Sequence, residues 1–197
     1  MLVMTIDQQG SRRQSDRVDD LLHWLHAQPA ARRLVRRFER TAGDEVQGLL
    51  DNPGDVVDLT LGVIRTGRWY VGIGIGSVRR PTPSSVRAAS GPAFLNARHA
   101  VERAKIAPAH VAVLGPERES AENTEALLAL LAAVVQRRSH QGWEVVDLMA
   151  EDLTQKEIAE RLKISPQAVS QRLRAALWNE ERRVRPVAAR LLAEADA

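Results

Sequence analysis

The chain has 197 residues, of which 44% are hydrophobic, which is enough for one large domain or two small ones with a core. Its 28 basic and 25 acidic side chains give a formal net charge of only +3. Cysteine is absent, which excludes disulfides, a thiol nucleophile and a cysteine-ligated zinc site.

The longest apolar run, Ala126–Val135, is well short of the roughly 18 residues that a membrane span needs. The first residues carry no export signal. We therefore expect a cytoplasmic protein without a membrane partner. The same run is apolar on more than one side of a helix, which predicts either a seam between domains or a dimer helix.

Strands and helices alternate in the first part of the chain. In chain order the pattern predicts a strand at 2–6, a helix from 15 or 16 to 28, an edge strand or a helical face at 33–40, a strand at 46–50, a helix at 53–67, a strand at 69–78, a loop at 79–90, a helix at 91–106 and a strand at 110–114. Gly72, Gly74 and Gly76 leave one face of a strand bare, either for close helix packing or for a nucleotide base.

Only helices are predicted beyond residue 116. They span 124–140, 143–150, two short helices within 153–177, and 179–197 with a kink or break near Pro186. This order predicts an α+β sheet domain at 1–116, connecting helices at 117–150 and an all-α module at 151–197.

The segment LTQKEIAERLKISPQAVSQRLRAAL at 153–177 has the spacing of a helix-turn-helix. Thr154 and Glu157 form a capping-box pattern, and Ser165 before Pro166 predicts the start of a second helix. Lys163 stands in the turn where glycine is usual. The alternative is an ordinary helical hairpin without a DNA partner.

This segment resembles the helix-turn-helix of bacterial regulators of the sigma-region-four and LuxR-like kind. The resemblance implies that the start of the second helix enters the major groove of double-stranded DNA. It assigns base contacts to Gln167, Ala168, Ser170 and Gln171. Contacts to the DNA outside the bases are expected from Lys163, Ser165, Arg172 and Arg174.

Two acidic positions in the front domain predict a metal site. Asp7 ends the first strand, and Asp44 lies in the turn of the hairpin TAGDEVQ at 41–47. Carboxylates on adjacent strand ends are the usual protein share of a magnesium site, and a nucleotide phosphate supplies the rest. The alternative is that both are solvated turn residues.

The hairpin resembles that of nucleotide cyclases and diguanylate cyclases, which implies a ferredoxin-like or palm-like sheet domain with Asp7 and Asp44 as metal ligands. Ala42 replaces the first glycine of the hairpin, so we expect little or no turnover and assign no catalytic residue. Candidate nucleotide contacts are Arg12, Arg13, Asn96 and Lys105.

Four segments also resemble the SatD family, which implies DNA binding. They are IDQQGSRR at 6–13, TAGDEVQGLL at 41–50, RWYVGIGIGSV at 68–78 and ASGPAFLNARHAVERAK at 89–105. We therefore expect a dimeric DNA-binding regulator whose front domain is a degenerate sensor of a nucleotide with magnesium, or an assembly domain. The alternatives are a metal-dependent enzyme acting on nucleoside triphosphates and a protein-interaction module.

Overall fold

Five strands form one mixed sheet in the computed structural model, which describes residues 1–11 and 13–196. They are β1 Leu2–Gln8, β2 Arg36–Ala42, β3 Glu45–Leu50, β4 Trp69–Ile75 and β5 Val111–Leu114. Their order across the sheet is β2-β3-β1-β4-β5, and only the β4–β5 pair is parallel. The α+β prediction is confirmed, and the ambiguous segment 33–40 contributes to an edge strand.

Eight helices accompany the sheet in the described part of the chain. They are α1 Val18–Ala27, α2 Pro53–Arg65, α3 Pro92–Ala104, α4 Arg118–Arg137, α5 His140–Ala150, α6 Gln155–Leu162, α7 Pro166–Ala175 and α8 Trp178–Ala195. None of them combines the length and the apolar character required to cross a membrane.

Several predicted helix limits are wrong, and α4 begins at Arg118 rather than near Thr124. The break between α4 and α5 falls at Arg138 and Ser139 rather than at Gly142, because the Ser139 hydroxyl caps α5 by accepting the Gly142 N–H at 3.1 Å. Of the kink or break expected near Pro186, the break does not occur, because Pro186 lies inside α8. An internal proline costs about 3 kcal/mol, and burial of Ala188 and Leu192 in the main core offsets that loss.

Helices cover both faces of the sheet. Alternate β1 residues Leu2, Met4 and Ile6 face a core shared with α1, α2, α4 and α8. Val3 points to the opposite face, where it packs against α3. This alternation follows from the two-residue period of a strand.

The bare glycine face of β4 is filled by α3. A Cβ added at Gly72 would lie 2.2 Å from the Val101 nitrogen, and one at Gly74 would lie 2.1 Å from Ala93 O and Ala97 N. Close helix packing therefore explains these two glycines, and the space considered for a nucleotide base is occupied by the α3 backbone.

The helices beyond the sheet contribute to two separate cores. Residues of α5, α6 and α7, among them Val145, Ile158 and Val169, form a small cluster of their own. The last helix, α8, instead joins the main core next to α2 and α4. The segment predicted as one module at 151–197 thus contributes to both clusters.

Candidate functional site

Helices α6 and α7 begin where their sequence signals predict. The Thr154 hydroxyl accepts the Glu157 N–H at 3.3 Å, and the Glu157 carboxylate accepts the Thr154 N–H at 2.7 Å, which completes the capping box. Hydrogen bonds from the Thr154 side chain and backbone lower the pKa of Glu157. At the start of α7, the Ser165 hydroxyl accepts the Ala168 N–H at 3.1 Å.

The connection between α6 and α7 turns at Lys163. Its φ of 54° and ψ of 44° are left-handed, which costs a non-glycine residue about 1 kcal/mol. The turn lets Ile164 N donate to Ala159 O at 3.0 Å, so a carbonyl at the end of α6 is satisfied. Because Lys163 is exposed, its ammonium group reaches solvent beside the start of α7.

The solvent-facing side of α7 carries most of the predicted DNA contacts. Gln167, Gln171 and Arg174 are exposed, and Ala168 and Ser170 are half-buried. Arg172 is also half-buried, and its Nη1 lies 2.9 Å from Glu144 Oε2 of α5. Sequence patterns do not predict this ion pair, because no short-range spacing rule connects residues on different helices.

In the sheet, Asp7 lies beside the β2–β3 hairpin. It is opposite Glu45 in the β1–β3 register, and Asp44 precedes Glu45 in the turn, where Gly43 has a φ of 54°. The structure therefore brings the predicted metal residues into one region. Within the described residues, however, no group of three or more His, Cys, Asp or Glu side chains could hold a metal ion by itself.

Asp7 is paired with the lysine that ends the α3 segment. Lys105 Nζ lies 3.1 Å from Asp7 Oδ2 and 2.8 Å from Glu102 Oε1. Burial raises the pKa of Asp7, and the neighbouring charges of Asp44 and Glu102 add to this rise, which the Lys105 ammonium only partly opposes. Burial lowers the pKa of Lys105, but its hydrogen bonds to Glu102 and Asp7 outweigh burial and raise it overall.

The remaining predicted nucleotide contacts have different surroundings. Asn96 Nδ2 donates to Ile75 O at 2.8 Å, so its amide group holds the end of β4 against α3. Arg13 is exposed, and Arg12 lies outside the described residues. Lys105 lies next to Asp7, with which it forms an ion pair.

A cavity of about 380 Å³ opens between the hairpin and α3. Glu45 and Gln47 line it from β3, and the exposed Arg87 and Arg98 line it from the other side. Neither arginine is a site residue predicted from the sequence. Their guanidinium groups supply positive charge next to the acidic hairpin, which is the charge that a phosphate group requires.

The raised pKa of Asp7 predicts a pH-dependent effect of Asp7→Asn. A folded-state pKa above the ordinary value of 3.8 means that the folded protein binds this proton more tightly than the unfolded chain does. The resulting stability is fully present below that value and is lost as the pH rises through the raised pKa. The difference in unfolding free energy should therefore shift in favour of Asp7→Asn as the pH rises from the ordinary value of 3.8 through the raised pKa.

Urea unfolding at a series of pH values measures this difference. Asp51→Asn, which removes an exposed carboxylate just after β3, is the control for the change in net charge. A variant that loses stability relative to the parent as the pH rises would mean that the Lys105 ion pair outweighs burial.

These features describe an α+β protein with a charged hairpin at one end of its sheet and an exposed two-helix unit near its C-terminus. The sequence model of the SatD family matches residues 5–192. The chain therefore belongs to the SatD family. No curated protein and no solved structure gave a match.

Proposed function

We propose that this protein is a DNA-binding regulator that inserts α7 into the major groove of double-stranded DNA. The observation that carries the proposal is the exposure of Gln167 and Gln171 on a helix whose start is capped and whose opposite face is buried. The exposed polar side chains of such a helix are free to contact DNA while its buried face stays packed against the neighbouring helices. The membership in the SatD family is compatible with this function.

The side chains of this region divide into two roles. Gln167 and Gln171 have the amide groups that pair with adenine, and Ala168 offers a methyl group to thymine. Lys163 and Arg174 are exposed cations suited to phosphates. Arg172 is paired with Glu144, and to contact a phosphate its guanidinium must share or break this ion pair. We therefore assign Arg172 a smaller contribution to DNA affinity than Lys163 and Arg174.

Loss of base reading is the expected result of Gln167→Ala and Gln171→Ala. Each should reduce discrimination between the preferred base and its alternatives by roughly 1–3 kcal/mol. Arg174→Ala should instead weaken binding to all sequences alike and reduce the slope of affinity against salt by about one unit. The measurement is a selection of bound sequences from a random DNA pool, followed by titrations at several salt concentrations.

Gln136→Ala, an exposed glutamine of α4, is the matched control and should leave both properties unchanged. If both α7 glutamine variants retain the parental selectivity, α7 does not read bases, and the two helices are an ordinary hairpin.

We further propose that the front domain binds a nucleotide with magnesium at the hairpin, as a sensor or assembly element. The order β2-β3-β1-β4 with antiparallel neighbours, to which β5 adds a parallel strand, resembles that of a ferredoxin-like or palm-like sheet, and this resemblance supports the proposal. So does Asp7, whose pKa is raised by burial, because acids with perturbed pKa values cluster at functional sites. Asp7 and Asp44 would contact the metal ion, and Lys105 the phosphates.

Addition of magnesium with GTP or ATP is expected to raise the unfolding temperature, because a ligand that binds only the folded state stabilises it. Asp44→Asn should abolish this rise, and Asp51→Asn should preserve it. Each nucleotide is also tested without magnesium to separate metal-dependent binding from general anion binding.

The same samples distinguish a sensor from an enzyme. With Ala42 in the hairpin we expect no release of cyclic product, pyrophosphate or phosphate at an enzymatic rate. Such release would favour the metal-dependent enzyme. If no nucleotide changes the unfolding temperature, the hairpin is a structural turn and not a nucleotide site. The function would then be DNA binding or protein interaction.

A further inference from the structure

One face of α4 is apolar and is exposed or half-buried. Its members lie three or four residues before or after Leu130, which places them on one stripe of the helix. We call Ala126, Leu127, Leu130, Ala133 and Val134 the α4 face. Leu130 at its centre is 61% exposed, whereas the opposite side of the same helix is buried in the main core.

The α4 face continues into a groove of about 270 Å³ whose far side is formed by Leu177. Leu177 connects α7 to α8 with a φ of 51°, and its side chain is 42% exposed. Of the five strongly exposed large hydrophobic side chains among the described residues, two, Leu130 and Leu177, therefore border one groove. Adjacent apolar exposure of this kind marks a contact surface.

We propose that the α4 face is covered by the α4 face of a second copy of this chain, in an antiparallel helix pair. Leu127, Leu130, Val134 and Arg137 have the three- and four-residue spacing of a helix seam, and the alanines between them allow close approach. A two-fold axis brings the same surface of both copies together, so one apolar stripe is sufficient for both sides.

Charge selects the antiparallel orientation. The first turn of α4 carries the exposed Glu119 beside Arg118, which is paired with Glu122; the last turn carries the exposed Arg137, and residues 126–136 have no charged side chain. In a pair centred on Leu130, antiparallel packing places Arg137 opposite position 123, one helical turn from Glu119, and opposes the two helix dipoles favourably. Parallel packing would place Arg137 next to its own counterpart.

This dimer has a consequence for DNA recognition that rests on the proposed function. Leu177 directly follows α7, so a contact at this groove would fix the two α7 helices at a set separation. The two α7 helices of a dimer would then bind two half-sites of the same DNA at once. The affinity for the pair of half-sites would be a multiple of the affinity for a single half-site. Self-association itself is independent of DNA and is measured without it.

Light scattering over a series of protein concentrations tests the interface. The parent chain should be a dimer and Leu130→Asp a monomer. Leu95→Asp is the matched control, because Leu95 is a helical leucine with 62% exposure on α3, and it should remain dimeric. A monomeric parent, a dimeric Leu130→Asp or a monomeric Leu95→Asp would each overturn the proposal. Circular dichroism verifies that each variant is folded.

Disulfide trapping tests the orientation in the dimer, and the absence of cysteine from the chain gives a clean background. In an antiparallel pair centred on Leu130, position 126 of one copy lies near position 134 of the other. A mixture of Ala126→Cys and Val134→Cys proteins should therefore cross-link more than tenfold faster than either alone. Faster cross-linking of each variant with itself would overturn the antiparallel pair.

Discussion

Gly74→Ala is expected to destabilise the fold by at least about 3 kcal/mol, at the upper end of the usual cost of overpacking. The new methyl group would lie 2.1 Å from Ala93 O and Ala97 N. Both are backbone atoms of α3, so no side-chain rotation relieves the contact, and the helix must move away from β4. Urea unfolding of the parent and the variant measures the loss.

Gly48→Ala provides a graded comparison in the same sheet. The atoms nearest to its added Cβ belong to the ring of Phe38, at 2.6 Å, and a ring at the end of a side chain can shift where backbone cannot. We therefore expect a smaller loss there. A Gly74→Ala protein within about 1 kcal/mol of the parent, below the usual cost of overpacking, would show that α3 moves easily on the sheet.

The parts of the fold that the sequence predicts well are those specified by neighbouring residues. The Thr154–Glu157 and Ser165–Pro166 patterns mark the starts of α6 and α7 because cap and helix are in the same turn. The edge strand β2 is ambiguous in sequence for a related reason. Only Phe38 is buried in it, so the strand has too few buried positions to produce a clear two-residue alternation.

The features that sequence patterns do not predict depend on residues far apart in the chain. The Asp7–Lys105 pair requires β1 and α3 to meet at one edge of the sheet, and the Arg172–Glu144 pair requires α5 to pack against α7. A candidate site can therefore be located from its acidic residues or its exposed helix face. The partners that set its charge become visible only when the elements are assembled.

Such a long-range contact joins the two-helix unit to the rest of the molecule. Arg138, between α4 and α5, donates through Nε and Nη2 to Ala176 O, just after α7, at 3.1 and 2.9 Å. Its Nη2 also pairs with Glu181 of α8, and both side chains are fully buried. The guanidinium carbon lies 4.3 Å from the centre of the Trp143 ring. Arg138 thus fixes the end of α7 against both cores.

Glu181→Ala is expected to cost about 3–5 kcal/mol of unfolding free energy, because it leaves the buried charge of Arg138 without its counter-charge. Arg138→Met should cost less, since Glu181 retains its ion pair with Arg185. The double variant Arg138→Met with Glu181→Leu should recover much of the loss, because an apolar pair of similar size needs no desolvation of charge. Urea unfolding of the parent and the three variants measures these losses.

Glu122→Ala is the matched control, because Glu122 pairs with the exposed Arg118 at 2.7 Å on the same helix, and loss of a surface pair costs at most about 0.5 kcal/mol. If Glu181→Ala is as mild as this control, the Arg138 charge finds other compensation and does not hold the two cores together. If the cost is large and the proposed DNA binding holds, Arg138→Met should also weaken DNA binding to all sequences alike, since it loosens the placement of α7 without changing the side chains proposed to face the bases.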